Sequence, residues 1–203
     1  MTCRYQFGSG IGSYPLSLTT PVYPRRVFNG VVEYKVDSES SAGSYELKST
    51  LEGGNRSFGC LFSVKARKDL KISTIGVHTE SDQEYVEVYT RQGSYEGFTN
   101  SMDGWSFVVG ADISGKGKGV VTQIEEKVFS DVEIRKGEIQ SFYVTLVSAK
   151  LSYTNGKEVG SKFVSNDDLS LMEGLGVGDY LLAKDTKLFS PRIFNGALMY
   201  SVL

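Results

Sequence analysis

Residues 8–34 read GSGIGSYPLSLTTPVYPRRVFNGVVEY, and residues 174–200 read GLGVGDYLLAKDTKLFSPRIFNGALMY. The two stretches align without a gap at a constant offset of 166 residues, and 11 of the 27 aligned positions carry the same amino acid. Self-similarity at a fixed spacing indicates a repeat architecture. The chain is therefore predicted to contain one whole unit, preceded by the closing segment of another.

The rest of the 203-residue chain is divided around this repeat. Residues 1–36 are interpreted as the partial repeat, and residues 58–203 as the complete unit. Residues 37–57 are rich in Ser, Gly and Glu and are interpreted as a linker, with one short strand around 45–51. After residue 58, about ten short alternating runs separated by turn signals predict strands. We therefore expect an all-β fold, an antiparallel β-sandwich or jelly roll with a duplicated closing strand segment at the N-terminus.

The composition argues against binding of nucleic acid and against insertion into a membrane. The formal net charge is −2 with both signs mixed, so no basic face for nucleic acid is expected. No apolar run approaches the ~18 residues of a spanning helix, so no membrane insertion is expected. The chain does not open with a secretion signal pattern. Cys3 and Cys60 are expected to be free thiols, with a disulfide between them as the alternative.

The most specific feature of the repeat is the motif Arg-(Val/Ile)-Phe-Asn-Gly. Along a strand, arginine and phenylalanine lie on one face, and the β-branched residue and asparagine lie on the other. Packing and strand register are favoured for the motif over ligand binding. If two copies of the chain pair through these segments, the motif residues fix the register of the contact. These assembly residues are Arg26, Phe28, Asn29, Gly30, Arg192, Phe194, Asn195 and Gly196.

The other candidate sites are given structural interpretations. The glycine-rich runs 8–12 and 174–178 lack the strand–turn–helix context of a phosphate site, so loops with positive φ are expected. The lone histidine and the absence of a convergent acid–base set argue against an enzyme, and no catalytic, cofactor or metal site is predicted. Lys116 and Lys118 are interpreted as a solvated hairpin tip rather than an anion-binding loop. His78 is interpreted as a surface or hydrogen-bonded core residue. The run Asn166, Asp167 and Asp168 is interpreted as a turn rather than a Ca²⁺-binding loop.

Aromatic residues supply a second function hypothesis, a carbohydrate- or ligand-binding module. Tyr85 and Tyr89 flank Glu87 on one face of a predicted strand, and Tyr95 and Trp105 follow. If these rings are exposed on one face, they can stack on sugar rings. If they are buried, they support only the core.

Several segments together resemble a β-rich repeat domain of diatoms and related algae. The matching residues are 58–64 (FGCLFSV), 72–79 (ISTIGVHT), 86–97 (VEVYTRQGSYEG), Trp105, 142–146 (FYVTL), 173–180 (EGLGVGDY) and 192–200 (RIFNGALMY). Proteins with similar motifs include secreted algal proteins and the pyrenoid shell proteins, which tile into a sheet around the Rubisco condensate in chloroplasts. The resemblance implies a pseudo-symmetric β architecture and no catalytic residues.

The first function hypothesis is a non-enzymatic structural protein that assembles with copies of itself through strand and edge contacts. By resemblance, the assembly is a shell around the Rubisco condensate, and the compartment is the chloroplast. The alternative is a ligand-binding module of a secreted or cell-surface protein, where the sequon at Asn55 has meaning. Whether the N-terminal segment pairs within its own chain or with a neighbour stays open at this stage.

Overall fold

The computed structural model describes residues 43–203 in full and, before them, the backbone of two short strands, β1 (Gly8–Ile11) and β2 (Val22–Arg26). The chain divides into two compact units, residues 1–40 and residues 41–203. The larger unit contains strands and one short 3-10 turn, Glu126–Val128, among its described residues. No described helix has the length and apolar character to cross a lipid bilayer.

Fourteen strands, β3–β16 in chain order, build the larger unit. They are β3 (Tyr45–Lys48), β4 (Asn55–Ser57), β5 (Gly59–Ala66), β6 (Leu70–Val77), β7 (Glu84–Gln92), β8 (Ser106–Ile113), β9 (Thr122–Gln123), β10 (Val132–Ile134), β11 (Ile139–Leu146), β12 (Leu151–Asn155), β13 (Lys162–Ser165), β14 (Leu169–Val177), β15 (Leu188–Phe194) and β16 (Gly196–Val202).

These strands form two antiparallel sheets that pack against each other, which confirms the predicted all-β sandwich. The larger sheet has the order β4-β12-β15-β14-β5-β11-β7-β8, with β13 paired to β14. The smaller sheet has the order β10-β6-β16-β3, with β9 paired to β6. The closing strands therefore lie in the interior of both sheets: β14 and β15 in the larger one, and β16 between β6 and β3 in the smaller one.

The core lies between the two sheets and is built from β-branched and aromatic residues. In β11, residues 140–146 are all buried, as expected for a central strand covered on both faces. Phe62 stacks on Phe194 with ring centroids 4.4 Å apart and on Phe142 at 5.6 Å. Phe62 and Phe142 come from paired strands, and Phe194 belongs to the closing segment, so the repeat contributes directly to the core.

The structure differs from the sequence predictions at two places. Residues 55–57, expected to lie in the linker, form β4, whereas β3 at 45–48 lies where a short strand was expected, and both strands belong to the sheets. Gly8, Gly10, Gly174 and Gly176 lie in β1 and β14 rather than in loops. Polar or glycine-rich composition conceals these strands, because their stability comes from neighbours distant in the sequence.

Candidate functional site

The C-terminal copy of the motif lies inside the larger unit, at the junction of β15 and β16. Phe194 and Asn195 have no exposed surface. Gly196 opens β16, where an added Cβ would lie 2.0 Å from the carbonyl oxygen of Gly76. The described contacts of these residues are therefore made within their own domain.

Asn195, at the junction of β15 and β16, contacts β12 and the segment between β3 and β4. Its Nδ2 donates to the carbonyl oxygen of Glu52 at 2.7 Å, and its Oδ1 accepts from the hydroxyl of Thr154 at 2.9 Å. Thr50 forms a parallel bridge to the Asn195 backbone. The segment between β3 and β4 is thereby fastened to β12 and to the closing strands. These contacts of Asn195 are packing and register contacts within its own domain.

Arg192 lies half-buried on β15, opposite Gly174 of β14 and Asn155 of β12. Its guanidinium carbon lies 5.3 Å from the ring centre of Tyr153, and its Nη1 donates to the carbonyl oxygen of Pro191 at 2.7 Å. A guanidinium over an aromatic face is held by cation–π attraction. In the larger unit, the motif arginine therefore packs on the neighbouring strand β12 through Tyr153.

The two copies of the repeat form the same hairpin. In the closing hairpin, β14 and β15 pair Gly174 with Arg192, Gly176 with Phe189 and Val177 with Leu188. In the N-terminal hairpin, β1 and β2 pair Gly8 with Arg26, Gly10 with Tyr23 and Ile11 with Val22. Every pair is displaced by 166 residues, and the register shift falls between the same two glycines in both. Phe28, Asn29 and Gly30 lie outside the described residues, as does the strand predicted over 27–36.

The neighbours of the two hairpins differ. The closing hairpin is flanked by β5 on the side of β14 and by β12 on the side of β15. Both flanking strands are already paired on their other side, β5 to β11 and β12 to β4. Among the described strands, β1 and β2 pair only with each other. The place that the repeat occupies in the larger unit is therefore already filled by the closing hairpin.

A second candidate site lies on the outer surface of the larger sheet. We call it the aromatic face and define it by Tyr85, Glu87 and Tyr89 of β7, Phe107 of β8 and Tyr180 from the segment after β14. The exposed fractions are 59% for Phe107, 42% for Tyr180 and 37% for Tyr85. Tyr95, expected as a surface aromatic, is 4% exposed and belongs to the cluster beneath this face, so that expectation is wrong.

Hydrogen bonds centred on one carboxylate organise the aromatic face. One oxygen of Glu87 accepts from the phenol of Tyr180 at 2.9 Å and from the phenol of Tyr89 at 3.1 Å. Burial, followed by the nearby Glu87 carboxylate, raises the pKa of Tyr89. Both phenols are therefore held protonated as donors at neutral pH. Trp105 is half-buried and packs edge-on against Tyr143, 6.0 Å away, in the layer below.

A glycine makes room for the rings. Gly110 of β8 lies directly opposite Glu87, and a Cβ at Gly110 would come within 2.3 Å of the Tyr85 hydroxyl and 3.2 Å of the Phe107 ring. The two rings thus lie over a strip of bare backbone. A larger residue at position 110 would lift both rings off the sheet.

The basic loop after β8, which contains Lys116 and Lys118, is held by hydrogen bonds to other parts of the same domain. His78 is buried, and its Nε2 accepts from the backbone N–H of Gly119 at 3.0 Å. The N–H of Lys116 donates to the Thr122 hydroxyl, and that of Gly115 to the carbonyl oxygen of Ser81. These backbone donors are not directed at an external anion, and the interpretation of His78 as a hydrogen-bonded core residue is confirmed.

The acidic candidates are structural or solvent-exposed. Asn166 accepts from the N–H groups of Asp168 and Leu169, an Asx turn of the kind expected from the sequence. Residues 43–203 hold no group of three or more potential metal ligands. Asp112 and Glu125 line a cleft of about 420 Å³ beside the β8 edge. Both carboxylates are exposed to solvent, and Glu125 is ion-paired with Lys127.

Cys60 is a buried free thiol, and burial raises its pKa, so it is held as an unreactive neutral group. Cys3 lies outside the described residues. Comparison of the chain with protein families, with curated proteins and with solved structures found no match. The functional argument therefore rests on the two sites above.

Sequence reasoning found part of each site. The alternation in β7 places Tyr85, Glu87 and Tyr89 on one face, and the repeat located the closing hairpin. Phe107 and Tyr180 were missed as members of the aromatic face, although Tyr180 is one of the residues conserved between the two repeat copies. Its identity with Tyr14 was the available signal, but the repeat alone does not indicate which surface it joins.

Proposed function

We propose that this protein is a non-enzymatic structural protein that assembles with copies of itself through its N-terminal hairpin. One observation carries the proposal. Strands β1 and β2 reproduce the register of the closing hairpin pair by pair, but the strands that flank such a hairpin in the described chain, β5 and β12, are already paired with the closing hairpin itself. A hairpin shaped for the interior of a sheet has backbone donors and acceptors on both edges. These are satisfied by pairing with a strand of another molecule.

The proposed acceptor is the outer edge of β8 in a second copy. With eight residues, β8 is the longest described strand that has a neighbouring strand on one side only. The carbonyl oxygen of Val108 on this edge accepts one bond, from Ser130. Because the donor hairpin and the acceptor edge are different surfaces, the contact is head-to-tail and propagates. An extended sheet of subunits, such as the pyrenoid shell that the sequence motifs resemble, is the assembly that we propose.

Light scattering across a concentration series tests the proposal with the intact chain and two hairpin variants. At Gly174, the counterpart of Gly8, an added Cβ would lie 1.8 Å from the carbonyl oxygen of Leu61, so this edge of the hairpin requires close approach of the next strand. Gly8→Val should therefore abolish oligomers. Ser9→Val is the matched control, because its counterpart Leu175 already carries a branched side chain.

A deletion variant that lacks residues 1–36 is the fourth sample. Loss of oligomers in this sample and in Gly8→Val, with oligomers retained in Ser9→Val, is the expected pattern. Monomers at every concentration of the intact chain would contradict the proposal. Equal assembly of the intact chain, Gly8→Val and the deletion variant would contradict it as well, since the hairpin would then have no part in the contact.

A further inference from the structure

The aromatic face combines exposed rings with fixed hydrogen-bonding groups. Phe107, Tyr180 and Tyr85 carry much of the exposed aromatic surface, and Glu87 fixes Tyr180 and Tyr89 through its carboxylate. Exposed aromatic residues that share one face mark a binding surface more strongly than scattered ones. We propose that the aromatic face binds a neutral carbohydrate chain, whose sugar rings stack on Phe107 and Tyr85 and whose hydroxyl groups bond to Glu87 and the two phenols.

The shape of the face favours stacking. Gly110 leaves the backbone bare beneath Tyr85 and Phe107, so both rings can lie along the sheet instead of standing off it. Tyr89 meets Phe107 edge-on with ring centres 5.5 Å apart, which fixes Phe107 from the side. A ring that is held in place loses little rotational freedom when a ligand stacks on it. The face is thus ordered before the ligand arrives.

The area of the face argues against a protein partner. The three exposed rings offer roughly 300 Å² of surface. A stable protein–protein contact buries roughly 800 Å² on each partner. The aromatic face alone is therefore too small for a second protein, but it suits two or three sugar rings laid end to end.

The charge of the face argues for a neutral ligand. Glu87 lies at its centre, and Asp112 of β8 is exposed directly opposite Tyr85. Carboxylates accept hydrogen bonds from sugar hydroxyl groups. Nucleic acid bases also stack on aromatic rings, but two carboxylates repel the phosphates that supply most of the affinity of nucleic acid binding. Sulfated and other anionic polysaccharides are disfavoured for the same reason.

The test uses Trp105, the single tryptophan of the chain, as a fluorescent reporter. The full-length protein is titrated with hexasaccharides of β-1,4-linked glucose, β-1,4-linked N-acetylglucosamine and β-1,3-linked glucose. We expect a saturable change in emission with at least one of them. Phe107→Ala and Tyr85→Ala should each weaken binding about three- to tenfold, the value of one aromatic contact. Tyr45→Ala is the matched control, because Tyr45 is 47% exposed on the smaller sheet.

Circular dichroism and the urea midpoint establish that each variant is folded, since the mutated rings are exposed. No saturable signal with any of the three sugars at millimolar concentration would overturn the proposal. Equal weakening by Tyr45→Ala would also overturn it. Stronger binding of heparin than of the neutral sugars would contradict the predicted charge preference. If Phe107→Ala abolished self-association and left the sugar signals unchanged, the face would be a contact between copies of the chain.

Discussion

The side-chain amide of Asn195 donates a hydrogen bond of 2.7 Å to the carbonyl oxygen of Glu52, a residue 143 positions earlier in the chain. Asn195 is completely buried, so no water competes for this bond. The bond joins the last strands of the domain to its first connection. An asparagine placed in this way stabilises the fold.

Asn195 and its repeat counterpart Asn29 should respond differently to mutation. Asn195→Ala removes the side-chain amide's hydrogen bonds to the Glu52 carbonyl and the Thr154 hydroxyl, which then keep only their bond to each other, so the free energy of unfolding should fall by about 2 kcal/mol. Asn29→Ala should leave the urea midpoint of the larger unit unchanged and reduce the size of the assembly. Asn155→Ala, at an exposed position on β12, is the control. An Asn29→Ala variant as unstable as Asn195→Ala would show that the N-terminal segment is part of the same folding unit.

The second prediction concerns the contact between β14 and β5. Gly174→Ala places a methyl group against the Leu61 backbone, where an added Cβ would be 1.8 Å from the carbonyl oxygen. A backbone carbonyl cannot rotate away as a side chain can, so the strands must separate. We expect a loss of about 3 kcal/mol in the free energy of unfolding, measured by urea titration. Gly93→Ala has open space around it and tests glycine replacement at a turn with positive φ. A smaller loss at Gly174 than at Gly93 would contradict the packing argument.

The third prediction concerns pH. Burial lowers the pKa of His78, and Nε2 must be unprotonated to accept from Gly119. Two charged groups act on His78, Glu80 and Arg56, and they form an ion pair with each other at 2.8 Å. In the unfolded chain His78 binds a proton near pH 6.5. Stability contributed by His78 is therefore fully present above about pH 6.5 and is lost as the pH falls below it.

Because the chain has one histidine, His78→Gln is a clean comparison. Denaturant midpoints measured between pH 5.5 and 7.5 should fall with decreasing pH in the parent protein. They should stay nearly constant in His78→Gln, which keeps an acceptor but does not titrate. A parallel fall in both proteins would assign the pH dependence to other groups.

The fourth prediction concerns Asp168. Hydrogen bonds from the Lys68 ammonium at 2.6 Å and the Tyr200 phenol at 2.8 Å lower the pKa of this carboxyl. A carboxylate with a lowered pKa stabilises the fold above its unfolded pKa, about 3.9, and the contribution is lost as the pH falls through the folded value. Asp168→Asn should reduce stability at pH 7 and flatten the acid limb below pH 4. Asp167→Asn, the neighbouring carboxylate, is the matched control. The acid unfolding curve, followed by circular dichroism, measures both.

The sequence predicted the elements that are determined by neighbouring residues and missed those that depend on contacts between residues far apart in the chain. Strand β7 was predicted from its alternation of inward and outward residues, and β11 from its β-branched and aromatic residues, because both signals are local to the strand. β14 was missed because Gly174 and Gly176 remove that pattern, and their strand conformation depends on contact with β5. The bond between Asn195 and Glu52 was inaccessible, because nothing local identifies a partner 143 residues away.

Some residues of the aromatic face could be predicted from the sequence, and others could not. Tyr85 and Tyr89 were placed together by alternation within one strand. Tyr180 joins them only through the antiparallel arrangement of the sheet and a bond to Glu87. Tyr95 is a tyrosine like Tyr85 and Tyr89, but it lies after the end of β7 and packs into the buried cluster. The alternation of side chains along β7 therefore does not predict which way it faces.

The position of β16 has a consequence for the synthesis of the protein. This strand lies between β6 and β3, so the middle of the smaller sheet is occupied by residues 196–202. While the ribosome still holds residues 196–202, β3 and β6 have emerged but have no strand between them. Contacts so distant in the sequence form late and slowly. The smaller sheet therefore closes only after β16 has left the ribosome, and until then the facing edges of β3 and β6 must stay unpaired.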